Sequence, residues 1–166
     1  MTQHFHHNGN QFEKLKPEQY YKLVEAVPLI TLLIAGADGQ YNLQETEWAA
    51  KITKIRSYAN HASLGDYYEH VGMVFEERLQ ALMKELPTDT EQRKHEISER
   101  LDDLNEILPR LHPDFAARIY KDLRSFAKHV ARSSGGFMGF GSISAKEAKL
   151  INLHMIDPIF QDEEEE

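Results

Sequence analysis

Between Pro17 and Ala37 the chain reads PEQYYKLVEAVPLITLLIAGA, and this stretch restricts the possible folds more than any other. Tyr20, Leu23, Val24, Val27, Ile30 and Ile34 recur at intervals of three and four, which is one face of a helix. Leu29, Leu32 and Leu33 then make the second half apolar all round. A helix with no polar face has to be surrounded by other elements, so it belongs at the centre of a domain. The strongly apolar part, Val27 to Ala37, is too short to cross a bilayer and contains Pro28, which predicts a kink.

Five further stretches carry the same period, and no alternation of strand type competes with them. A second helix is predicted over 43–59, with Trp48, Ile52, Ile55 and Ala59 on its inward face. After a turn, NHASLG, a third covers 66–86 with Val71, Val74, Phe75, Leu82 and Leu86 inward. The fourth, over 89–108, is polar apart from Ile97, Leu101, Leu104 and Leu108, and Pro109 ends it. The fifth opens at Pro113, a good first-turn residue, and carries Ala116, Ile119, Leu123, Phe126, Ala127 and Val130. A sixth runs over 144–155. The short connections favour antiparallel neighbours and an all-α bundle.

One domain is the default for 166 residues, a length that buries roughly 70% of the extended-chain surface without staples. Residues 1–15 read as a flexible segment, 16–156 as the helical domain, and 157–166, with its QDEEEE run, as a solvated tail. The absence of cysteine excludes disulfides, thiol chemistry and Cys-ligated zinc. A formal charge of −8 argues against nucleic acid and anionic lipid as partners. No apolar leader stands at the N-terminus, so the chain is expected in the cytoplasm, with no membrane insertion.

Two short stretches repeat. In DGQYNLQE (38–45) and FGSISAKE (140–147), Gly39 matches Gly141, Tyr41 matches Ile143, Asn42 matches Ser144 and Glu45 matches Glu147. Each follows an apolar helix and opens a new one. Glycine lets the chain leave the first helix, the apolar residue staples onto the next, and the polar pair has capping-box spacing. IAGADGQYNLQETE, paired with GFGSISAKEAKLI, resembles the TerB-like tellurite-resistance domain over about residues 20–155. The resemblance implies an all-α fold with two packed helix-turn-helix corners, and a cytosolic bacterial protein of stress resistance. It also implies an acidic, metal-binding surface at Asp38, Glu45 and Glu147, and it brings no settled reaction. Phe140 stands where the second copy's aspartate would be, which counts against a symmetric pair of metals.

The first corner also has the rhythm of the back half of a calcium loop. With Asp38 at position 5, Gly39 is the turn glycine, Asn42 is position 9 and Glu45 position 12. Positions 1 and 3 fall on Ile34 and Gly36, which offer no carboxylate, so a complete EF-hand is excluded. A site for a divalent cation such as calcium would consist of Asp38, Asn42 and Glu45, completed by water or by Glu147. The alternative is a corner that only starts a helix. Asp66 and His70, four apart, have zinc-chelating spacing, with a surface pair as the alternative.

SSGGFMGFGS (133–142) lacks the Lys-Ser/Thr that follows the last glycine of a P-loop. Its Phe137, Met138 and Phe140 form either an adaptable partner-binding patch or a corner folded onto the bundle. No motif of a hydrolase, a dinucleotide enzyme or a thiol enzyme occurs. The expected role is therefore a non-enzymatic, stress-associated binding or scaffold protein with an unidentified protein partner. Two alternatives stay open: a metal-dependent enzyme built on clustered carboxylates, and an interaction or self-association module using the 137–140 loop.

Overall fold

The computed structural model describes residues 10–37, 39, 41, 43–59, 62–133 and 145–160. The architecture is an all-α single-domain bundle, with helices α1 (Pro17–Ala35), α2 (Leu43–Ala59), α3 (Ala62–Glu85), α4 (Thr90–Asp102), α5 (Leu104–Ile107), α6 (Pro113–Ser133) and α7 (Ala145–Leu150). As its all-round apolarity demands, α1 is the central helix. It packs against α2, α3, α4, α5, α6 and α7, and every residue from Ala26 to Ala35 is buried. The helix continues through Pro28, with the Thr31 hydroxyl bonded to the Val27 carbonyl at 2.9 Å. Among the described residues no helix is long and apolar enough to cross a membrane.

Several boundaries move. The third helix starts at Ala62, so the expected NHASLG turn contributes its last four residues to α3. The predicted fourth helix is divided at Asp103 into α4 and α5, followed by a 3₁₀ turn over Leu108–Arg110. Asn105, just past the division, ties down the C-terminal segment. Its amide donates to the Met155 carbonyl at 2.9 Å, and its oxygen accepts from the Asp157 N–H at 2.7 Å. The last helix stops at Leu150 rather than near 155. Leu153 takes a left-handed φ of 48° and turns the chain so that Leu153 and Ile156 enter the core. The segment expected to be flexible up to residue 15 is packed in its final part. Phe12 and Leu15 are buried, and Phe12 lies edge-on to Phe115 with centroids 5.1 Å apart.

The largest correction concerns α2. Trp48 and Ile55, expected inward, are 41% and 55% exposed, and Tyr58 is 81% exposed. The buried face is instead Glu45, Ala49, Ile52, Thr53 and Arg56. Arg56 occupies it because its partners lie on α3 and α6, while the Thr53 hydroxyl bonds the Ala50 carbonyl of its own helix, and the larger apolar residues turn toward solvent.

Candidate functional site

At the first corner, α1 ends in a Gly36 cap whose N–H bonds the Leu32 carbonyl at 3.0 Å. Gly39 has φ +99°, a conformation that favours glycine, and a Cβ there would sit 3.3 Å from Thr90 Oγ1 at the start of α4. The corner therefore rests on α4, whose first turn is capped by Asp89 accepting from the Gln92 N–H at 3.0 Å. Arg93, 4% exposed, reaches back from α4. Its Nη2 donates to the Gly36 carbonyl at 3.0 Å, its Nη1 to the Thr88 carbonyl at 3.2 Å, and its guanidinium lies 4.8 Å from the Tyr41 ring centroid. A cation at the C-terminal end of α1 also complements the helix dipole. Gly36 is needed here, since a Cβ would come within 2.9 Å of the Leu32 carbonyl and 3.0 Å of Arg93 Nη2. Burial raises the pKa of the Tyr41 hydroxyl, with Arg93 opposing.

Of the expected cation ligands, Glu45 is the third residue of α2 and is 1% exposed, in the capping-box position. Ile34, at loop position 1, is in the core as expected. Asp38 and Asn42 lie outside the described residues, as do Phe137, Met138 and Phe140 of the glycine-rich loop. Glu147 is placed within α7, and its side chain lies outside the description. Among the described residues no three His, Asp or Glu side chains are grouped to hold a metal. His70, weighed with Asp66 as a chelating pair, directs Nδ1 to the Tyr20 hydroxyl at 2.5 Å. Burial, and then the charge of Asp66, raises the Tyr20 pKa.

A second polar cluster joins α2, α3 and α6. Arg56 Nη1 donates to Asp122 Oδ2 at 2.6 Å, to the Asp122 carbonyl at 3.0 Å and to the Tyr68 hydroxyl at 3.0 Å. Its Nη2 reaches Ser125 Oγ at 3.3 Å and His129 Nδ1 at 3.2 Å. The guanidinium also faces the Tyr68 and Phe126 rings at 5.5 and 5.7 Å, and the Tyr68 hydroxyl donates to Asp122 Oδ2. Since arginine only donates, His129 Nδ1 accepts, which places the neutral ring's proton on Nε2. Burial, reinforced by Arg56, lowers the His129 pKa in agreement with a neutral ring. Burial raises the Asp122 pKa, with the Arg56 charge pulling the other way.

Sequence reasoning missed this cluster. Its signals were an arginine seven residues after Ala49 on one helical face, and a polar row of Asp122, Ser125 and His129 beside an apolar one. Arg124 bonds Asn152 Oδ1 at 3.0 Å and faces the Tyr120 ring.

A cavity of about 560 Å³ is lined by Lys14, Arg110, His112, Asp114, Phe115 and Arg118 among others. A groove of about 390 Å³ lies between α2 and α3. Asp122 lines neither of them. No family model, no curated protein and no solved structure matches this chain.

Proposed function

We propose that this chain is a non-enzymatic binding or scaffold protein of the stress-associated, tellurite-resistance-like kind, and that its contact surface is the outer face of α2. The observation that carries the reading is the exposure of Trp48, Ile55 and Tyr58 on a helix that buries polar residues on its opposite side. Large apolar groups exposed in a row mark contact surfaces more often than accidents of packing. The rival reading, an enzyme built on clustered carboxylates, needs perturbed carboxylates converging in a pocket. Asp122, with its raised pKa, is committed to Arg56 and Tyr68 between three helices. The stress association rests on the corner's resemblance to the TerB-like domain.

The test is survival. Bacteria expressing the chain should grow at tellurite concentrations that kill cells carrying an empty vector. Ile55→Ser/Tyr58→Ser should abolish the protection at equal protein abundance. Protection unchanged in that variant would remove α2 from the account, and no protection from the original chain would remove the stress role.

A second reading, favoured by the burial of Glu45 at the start of α2, has the corner tuned by a divalent cation. At about a hundred times its Kd, calcium would then add roughly 2.7 kcal/mol to EDTA-stripped protein. Thermal unfolding would show this as a rise of several degrees, lost in Asp38→Ala and Glu45→Ala. No rise with calcium, magnesium, manganese or zinc would leave the corner as a helix start.

A further inference from the structure

The groove between α2 and α3 combines three features that the fold itself does not require. Its α2 side is Ala50, Thr53, Lys54 and Ser57, and its α3 side includes Glu69, Gly72, Met73 and Glu76. Gly72 lies in the interior of α3, where glycine costs about 1 kcal/mol relative to alanine. Yet a Cβ at Gly72 would meet nothing within 4 Å, so internal packing does not demand it. Met73, beside it, is 60% exposed. Lys54, Glu69 and Glu76 are all exposed, and none enters an ion pair with another described residue. The groove thus has a basic wall on α2, where Lys51 is also exposed, and an acidic wall on α3. Glu47 is the exposed acidic residue on the α2 side, at the end where Trp48 lies.

We infer that the occupant of this groove is a second copy of the same chain, docked about a two-fold axis that runs along the groove. The charge pattern selects the arrangement. α2 and α3 are successive, packed helices joined by residues 60–61, and so run antiparallel. A two-fold axis parallel to them lays α2 of each copy over α3 of the other. Lys54 then faces the stretch between Glu69 and Glu76 of the second copy, on both sides of the axis. A two-fold axis across the helices would instead set lysine against lysine and glutamate against glutamate, which opposes association. The self-complementary arrangement is the isologous contact that a two-fold dimer requires.

The interface is small. The 17 residues of α2 rise about 26 Å, and two helices about 10 Å apart present a face of roughly 500 Å². That lies below the roughly 800 Å² per partner of a standard interface, so association in the micromolar range or weaker is expected.

Sedimentation equilibrium of the whole chain from micromolar to millimolar concentration tests this. The mass should rise from one chain to two, and Lys54→Glu should weaken the association at least tenfold. Adding Glu69→Lys and Glu76→Lys to that same chain should restore it, because every facing pair is then reversed. A single-chain mass throughout, a constant unmoved by Lys54→Glu, or no recovery in the triple variant would overturn the inference. A monomer that still protects cells through Ile55 and Tyr58 would refute the second copy and leave the functional reading standing. A dimer that gives no protection would do the opposite.

Discussion

Arg56→Ala destabilises the protein by about 3–5 kcal/mol, the range found when one partner of a buried ion pair is removed. The guanidinium joins three helices: it leaves from α2, bonds Tyr68 of α3, and bonds Asp122, Ser125 and His129 of α6. Its removal strands an Asp122 carboxylate whose pKa burial already raises, leaving the Tyr68 hydroxyl as its described side-chain donor. The sign with pH follows. A carboxyl with a raised folded pKa prefers its proton in the fold, so its penalty is full above that pKa and shrinks as pH falls through it. Without Arg56 the Asp122 pKa rises further. The variant's deficit is therefore largest at neutral pH and narrows toward acid. At this chain length the neutral-pH loss corresponds to a fall in Tm of roughly 10 °C. Replacing both charges, as Arg56→Met with Asp122→Leu, recovers at least half of the loss, since no buried charge is left alone. Urea titrations at several pH values read all three variants. A loss under about 1 kcal/mol for Arg56→Ala would mean that the cluster does not hold these helices together.

Arg93→Ala has the next largest effect, about 2–4 kcal/mol. It exposes no charge, but it takes the shared donor from the buried Gly36 carbonyl, which keeps the Gly39 N–H as its described donor, and from the more exposed Thr88 carbonyl. It also removes a cation from the face of Tyr41 and from the end of α1. Lysine cannot bridge two carbonyls with a rigid fork, so Arg93→Lys loses more than half as much. The damage is local. Amide exchange should speed up around Gly36, Gly39 and the first turn of α2, while α6 keeps its protection. Uniform loss of protection, or no change at the corner, would contradict the assignment of Arg93 as its clamp.

The fold was legible where apolar residues carry the signal alone. The all-round apolarity of 27–35 made α1 central, and the inward rows of the fourth and fifth predicted helices are buried as expected. α2 was misread because it carries two candidate faces. Trp48 and Ile55 look stronger by side-chain size than Glu45, Ala49, Thr53 and Arg56, and Ile52 belongs to either face. The second face wins because Arg56 finds Asp122, 66 positions later, and no local pattern announces a pairing at that distance. Arg93 was hidden in the same way, inside a helix that reads as solvated. Leu153 was unreadable for another reason: a leucine at positive φ gives no glycine signal. Of the expected corner, the turn glycine, the Tyr41 staple and the Glu45 position stand among the described residues. Asp38 and Asn42 fall outside them.

On the proposed reading, buried arginines hold the bundle and the outer face of α2 is kept for contact. Urea unfolding of Ile55→Ser/Tyr58→Ser tests it most directly, in protein dilute enough to sediment as one chain. A midpoint within about 0.5 kcal/mol of the original chain is predicted, as for surface substitutions away from structural features. A loss of about 2 kcal/mol or more, in the range of buried apolar truncations, would contradict it by making these side chains part of the core.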